Sequence, residues 1–239
     1  GELRSELLRT HDFRSFALMP MEGAAAVNKG MALFPRRTGG HYRMIGRQDG
    51  KNLYLLESDQ LSDWSGGAKL LEPRYPWEFI QIGNCGAPIE LDEGWLLLTH
   101  GVGPMRKYAL GAALLDKENP AKVLARTPEP LLAAADHERE GYVPNVVYTC
   151  GAMRLGPTLF LPYGLADSSV AFAFADIADI LAGMDWGRLG LPVPPAGSSW
   201  PAVAAIRFHR ARTTGRLIAV GGGPSLNIVV EGAAPSPGG

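Results

Sequence analysis

The chain has 239 residues, enough to bury a core of one or two domains. A formal net charge of −1 removes any bulk electrostatic case for nucleic acid or an anionic membrane as a partner. Its 30 glycines and 19 prolines point to many turns, and no apolar run reaches the roughly 18 to 20 residues that a membrane-spanning helix needs.

The opening residues, GELRSELLRTHDF, are charged and lack an apolar signal core, so no secretion signal is expected there. NKGMALFPRR sets Lys29 between small residues at the start of an apolar run, a placement shared by solvated loop lysines and by anion ligands. Residues 41–45 (HYRMI) and 53–57 (LYLLE) read as strands joined through GRQDGKN, whose Asp-Gly predicts a tight turn. Arg47 and Asp49 lie in that turn, and a turn aspartate commonly satisfies backbone amides.

PRYPWEFIQIGNCGAP is the densest polar-aromatic stretch, with Tyr75, Trp77 and Phe79 around Glu78, followed by Gln81 and Asn84. A carboxyl among aromatics can have a raised pKa and serve as a general acid or base, and the alternative is a loop glutamate beside core aromatics. Strands are predicted over 87–91, over 94–100 after the turn DEG, and over 108–115 and 122–126. THGVGPMRKY places His100, Arg106 and Lys107 around a glycine-rich loop that suggests an anion-accepting turn, although its spacing is not that of a P-loop.

HEREGYVPNVVY joins a charged loop to an apolar strand through Tyr142, Pro144 and Asn145. Further strands are predicted over 146–153, 159–163 and 170–174, with Asp167 of PYGLADSS just after the strand that carries Tyr163. The best helical candidate is short, 177–184. From about residue 185 the chain turns Pro/Gly-rich, so 185–239 is expected to be a partly disordered tail within which AIRFHRARTTGRLIAV supplies another strand pair. Cys85 and Cys150 form neither a metal spacing nor a disulfide framework, which fits a reducing, cytoplasmic setting.

Three segments repeat one outline of strand, glycine turn, strand, polar loop and strand ending in an acidic residue: GGHYRMIGRQDGKNLYLLESD, DEGWLLLTHGVGPMRKYALGAALLD and GPTLFLPYGLADSSVAFAFAD. Their starts lie about 55 to 65 residues apart, a spacing that suits β-propeller blades with long loops. A β-sandwich is the alternative. The fold class expected is all-β, with propeller blades over 1–184.

NKGMALFPRR, GRQDGKNLYLLESDQLSDW, PWEFIQIGNCGAPIE, GWLLLTHGVGPMRKYALGAALLD, EGYVPNVVYTCGA and PYGLADSS occur in one order. In that order and wording the chain resembles glycoside hydrolase family 130 over roughly residues 8 to 184. The resemblance implies a five-bladed β-propeller with its site at the centre of one face, present here as an incomplete ring of about three to four blades. It implies inverting phosphorolysis of β-mannosides to α-mannose 1-phosphate, with inorganic phosphate as co-substrate, no other cofactor and no metal. The partners implied are a mannose-containing oligosaccharide and phosphate.

Transferred by motif, Lys29, Arg47 and His100 would bind phosphate, and Asn145, Tyr163 and Asp167 would bind mannose in the cleavage subsite. Asp49 and Glu78 would line the other side of the pocket. The family's general-acid aspartate belongs to a Glu-Asp-Pro-Arg or Glu-Asp-Ala-Arg motif ahead of a THDF-like segment, and these residues contain no such motif. The resemblance therefore implies the C-terminal part of the catalytic domain, with an open ring that would close by association of copies or remain unstable. Two alternatives accompany it: an inverting β-mannosidase with Glu78 or another carboxylate as base, and a sugar-binding fragment without activity.

Overall fold

The computed structural model describes residues 5–135 and 141–186, together with the backbones of three short strands farther along. A hairpin opens it, β1 (Glu6–Thr10) against β2 (Phe16–Pro20). Strands β3 (Ala32–Leu33), β4 (Tyr42–Gly46), β5 (Leu53–Ser58) and β6 (Gly67–Leu71) form a four-stranded antiparallel meander, the first blade. The second comprises β7 (Gln81–Asn84), β8 (Ile89–Glu90), β9 (Trp95–Val102), β10 (Tyr108–Leu115), β11 (Val123–Arg126) and β12 (Leu132–Ala133). In it β9 and β10 are central, β7 and β8 pair successive parts of β9, and β11 and β12 pair successive parts of β10.

The third blade repeats that plan with β13 (Val147–Tyr148), β14 (Met153–Leu155), β15 (Thr158–Leu165) and β16 (Ser169–Asp176), and helix α1 (Ile177–Ala182) follows. Beyond it, β17 (His209–Ala211) pairs with β16, and β18 (Arg216–Val220) pairs with β19 (Asn227–Glu231). The strand pair expected within AIRFHRARTTGRLIAV thus takes another form: its two strands find different partners. The remainder of the expected tail over 187–239 lies outside the described residues.

Side-chain alternation explains why the sheets stack as blades. Successive residues of a strand point to opposite faces, so a central blade must be apolar on both. Every residue of β9 is buried. Trp95 and Leu97 pack with Ala32, Phe34, Ile45, Leu53 and Leu55 of the first blade. Leu96 and Leu98 pack the other way, with Val147, Leu159, Leu161 and Leu165 of the third. On β10, Ala113 and Leu115 join the first seam, while Leu110, Ala112 and Leu114 join the second. The two seams hold most of the core, a smaller cluster of Ala25, Met44, Leu56 and Trp64 adds to it at the first blade, and the seams make the blades one stack rather than the two facing sheets of a sandwich.

The hairpin turns β4–β5, β9–β10 and β15–β16 lie at one end of this stack. The Ile82 amide donates to the Lys51 carbonyl at 3.0 Å, tying the start of β7 to the first of those turns. The Tyr108 amide donates to the Asn145 carbonyl at 3.1 Å, tying the second turn to the start of β13. The residues that precede β3, β7 and β13 therefore meet the turn residues at one hub.

Candidate functional site

Arg47 begins the turn after β4, and its side chain is buried, 5 % exposed. One guanidinium nitrogen, Nη2, donates to the Gly50 carbonyl at 2.9 Å. Burial pulls the Arg47 pKa down, and Tyr148, Tyr108, Asp49 and Cys85 work in the opposite direction. Asn28, in left-handed backbone, donates from Nδ2 to the Arg47 carbonyl at 3.1 Å and accepts from the Lys29 amide at 2.9 Å. That clamp sets the exposed Lys29 beside Arg47.

His100 lies on β9 directly opposite Gly83 of β7. A Cβ at Gly83 would sit 2.5 Å from His100 Nε2 and 3.1 Å from the central guanidinium carbon of Arg47. The missing side chain is what lets imidazole and guanidinium approach the same point. Nδ1 of His100 is 3.5 Å from Cys85 Sγ, and its ring packs against Tyr108 at 6.0 Å and Tyr148 at 5.1 Å between centroids. Burial, then the charges of Arg47 and Lys29, lower the His100 pKa to about 3 against an opposing backbone hydrogen bond to Asn84. Near neutral pH the ring is therefore uncharged.

Burial also raises the Tyr148 pKa to about 12, with Cys85 and Cys150 adding to the shift and Arg47 opposing it. Burial pushes the Cys85 thiol up strongly. The hub thus combines Lys29 and Arg47, a neutral imidazole, the rings of Tyr108 and Tyr148 and thiols raised by burial, with no carboxylate hydrogen-bonded to Arg47 among the described residues. Chemically it can accept an anion and hydrogen-bond its oxygens.

The other residues singled out in the sequence lie elsewhere at the same end. Asp49 is exposed and turned onto its own loop, accepting from the Lys51 and Asn52 amides, the Asn52 side chain and the Tyr54 hydroxyl. Its slight burial acts to raise the pKa, but those hydrogen bonds outweigh it and hold the carboxyl well below its usual range. Asn145, half-buried and in left-handed backbone, borders the hub through its bond to the Tyr108 amide. Asp167 is exposed in the β15–β16 turn, where Ala166 and Asp167 both take left-handed backbone between the paired Leu165 and Ser169. Tyr163 is buried in the seam between the second and third blades.

Glu78 does not line the pocket; it is a correction to the expected assignment. Its two carboxylate oxygens accept from Arg126 Nη2 at 2.7 and 2.8 Å, and Oε2 accepts from the Arg74 amide at 2.9 Å. Both side chains are buried, 1 % and 5 % exposed, and Arg126 stacks over Tyr75 at 5.4 Å. A carboxylate buried in an ion pair and held by backbone amides is poorly placed to activate water. Trp77, next to Glu78, lies across Gly101 and Gly111 and donates its indole N–H to the Pro128 carbonyl at 2.9 Å. The glycine-rich loop after His100 is a tight hairpin with Met105 and Arg106 in left-handed backbone, and Met105 is 82 % exposed.

Beside the hub an open groove of about 630 Å³ is lined by Lys51, Asn52, Arg74, Tyr75, Phe79 and Pro104. Among hub residues, Asn84, Tyr108 and Tyr148 escaped the sequence reading as site residues. Strand alternation from Ile82 would have put Asn84 on the face turned to the first blade, towards Arg47, but no local signal distinguishes either tyrosine from core.

The family profile described as beta-1,4-mannooligosaccharide phosphorylase matches residues 5–186. The chain belongs to glycoside hydrolase family 130. It is 38 % identical over 155 residues to a 1,2-beta-oligomannan phosphorylase of Thermoanaerobacter sp., a match covering 64 % of this chain and 52 % of the relative. It is 37 % identical over 165 residues to a Beta-1,2-mannobiose phosphorylase of Listeria innocua, covering 66 % and 46 %. The solved structure of the Listeria innocua Beta-1,2-Mannobiose phosphorylase with beta-1,2-mannobiose superposes with a TM-score of 0.70 at 32 % identity, covering 76 % of this chain and 53 % of that one. The chain spans about half the length of the curated relatives it matches. Its three described blades are thus part of a family 130 propeller.

Proposed function

We propose that the protein takes part in inverting phosphorolysis of β-mannosides, and that the described blades supply the phosphate side of the site. The observation that carries this reading is the convergence of Lys29 and Arg47 beside Gly83, with no carboxylate hydrogen-bonded to Arg47 among the described residues. An incoming phosphate needs fixed cations to hold its charge and to aim an oxygen at the anomeric carbon. Arg47, held at Nη2 by the Gly50 carbonyl, is pre-set for that, and exposed Lys29 closes the solvent side. Asn145 and Asp167, at the start and turn of the third blade, would orient the mannose ring, and the groove by Phe79 would take the rest of the saccharide.

Hydrolysis would need a carboxylate base, and Glu78 is committed to Arg126, which supports phosphate as the nucleophile. The test is product analysis after incubation with β-1,2- and β-1,4-mannobiose, with and without inorganic phosphate. Mannose 1-phosphate formed only with phosphate is the expected result. Free mannose at equal rates in both tubes would refute phosphorolysis, and no product in either would leave sugar binding as the role of these blades.

A further inference from the structure

Two buried polar atoms at the hub, Arg47 Nε and Asn84 Oδ1, have no hydrogen-bond partner among the described residues. Asn84 is 3 % exposed. Both flank Gly30: a Cβ there would sit 3.1 Å from Arg47 Cδ and 3.4 Å from Asn84 Oδ1. The strand register explains the encounter. On β7, Ile82 and Asn84 share a face, and Ile82 packs into the seam with the first blade, so Asn84 carries that seam to the hub where Gly30 and Arg47 lie.

Buried polar groups are normally satisfied, so an orphan donor beside an orphan acceptor calls for a ligand that can both accept and donate. Arg47 can only donate, and an amide oxygen can only accept. A fully deprotonated anion would satisfy the cations and leave Asn84 Oδ1 facing its lone pairs.

We propose that Asn84 is a further ligand of the anion subsite, its Oδ1 accepting a hydrogen bond from a protonated anion oxygen, so that the pocket selects phosphate and arsenate over sulfate. Phosphate and arsenate keep at least one O–H near neutral pH, whereas sulfate has none. The selection therefore rests on a hydrogen bond whose donor only the protonated anions possess, a discrimination stronger than size or charge provides. This inference rests on the phosphate reading of the hub.

The experiment is calorimetric titration of the full chain at pH 7 and constant ionic strength with inorganic phosphate, arsenate and sulfate in turn. Phosphate and arsenate are expected within about threefold of each other, and sulfate at least about tenfold weaker. Asn84→Leu should weaken phosphate and arsenate about tenfold and leave sulfate unchanged. Sulfate matching phosphate on the wild-type chain would overturn the proposal while leaving the phosphate reading intact. Equal weakening of all three anions by Asn84→Leu would overturn it too, by making Asn84 a structural residue. The wild-type series decides the question even if the variant does not fold. Binding of none of the three would remove the phosphate reading, and this inference with it.

Discussion

Removing the charge of Glu78 gives the sharpest stability prediction. In Glu78→Gln the amide still accepts from the Arg74 and Tyr75 backbones, but the Arg126 guanidinium stays buried without its counter-charge. Breaking a buried pair by altering one partner costs about 3–5 kcal/mol, far above the value of an exposed pair. At roughly 2–4 °C per kcal/mol for a chain of this size, the melting temperature should fall by about 6 to 20 °C. Thermal unfolding followed by circular dichroism reads this directly. The double variant Glu78→Leu/Arg126→Met removes both charges and should recover most of the loss, because a pair of similar-sized apolar groups is often neutral or better. A Glu78→Gln protein that melts with the wild type would refute the structural assignment and return Glu78 to the list of groups available for chemistry.

Other outcomes follow from the hub. Gly83→Ala places a methyl group 2.2 Å from His100 Cε1, so the ring must move within a packed strand pair; a loss of about 1–3 kcal/mol and at least tenfold weaker phosphate binding are expected by denaturation and titration. The His100 proton is taken up near pH 6.5 in the unfolded chain but only near 3 in the folded one. Its stabilisation is therefore whole above about pH 6.5 and falls by up to about 1.4 kcal/mol per unit as pH drops toward 3. Asp49, depressed below the usual carboxylate range, loses its contribution only at more acid pH, so a pH series from 7 to 5 should flatten in His100→Phe and not in Asp49→Asn. Lys29→Ala, an exposed change, should leave the melting temperature within the range of about 0.5 kcal/mol.

Much of the architecture was legible because blades are built from strong local signals. The runs around Trp95–Val102 and Tyr108–Leu115 alternate between two apolar faces, and their turns are marked by glycine and aspartate. The all-β class and the repeated meander follow from those features. The edge strands were harder. The run 146–153 divides into β13 and β14 because Thr149 captures the Gly151 and Pro162 carbonyls and Gly151 takes a backbone that breaks the pairing. Strand β7, only Gln81–Asn84, carries glycine and asparagine, both weak strand formers, and is held by pairing with β9 rather than by propensity.

At the site, Arg47 and Lys29 were legible only through the family resemblance, because their own surroundings suit solvated loop residues as well. Glu78 stood out as a carboxyl among aromatics and proved to be half of an ion pair whose other half, Arg126, lies 48 residues away. Sequence proximity to aromatics could not tell a poised carboxyl from a neutralised one, because the deciding partner is distant along the chain. Tyr163 shows the same limit: its motif neighbours reach the hub end, while strand alternation turns its own ring into the seam.

The proposed function rests on Lys29 and Arg47 forming a phosphate site at the hub of these blades. Its most direct test is a phosphate titration of the wild-type chain beside Lys29→Ala and Arg47→Met, with circular dichroism confirming that each is folded. Saturable binding is expected of the wild type, weakened about tenfold in Lys29→Ala and more in Arg47→Met. Phosphate affinity unchanged in both folded variants would contradict it.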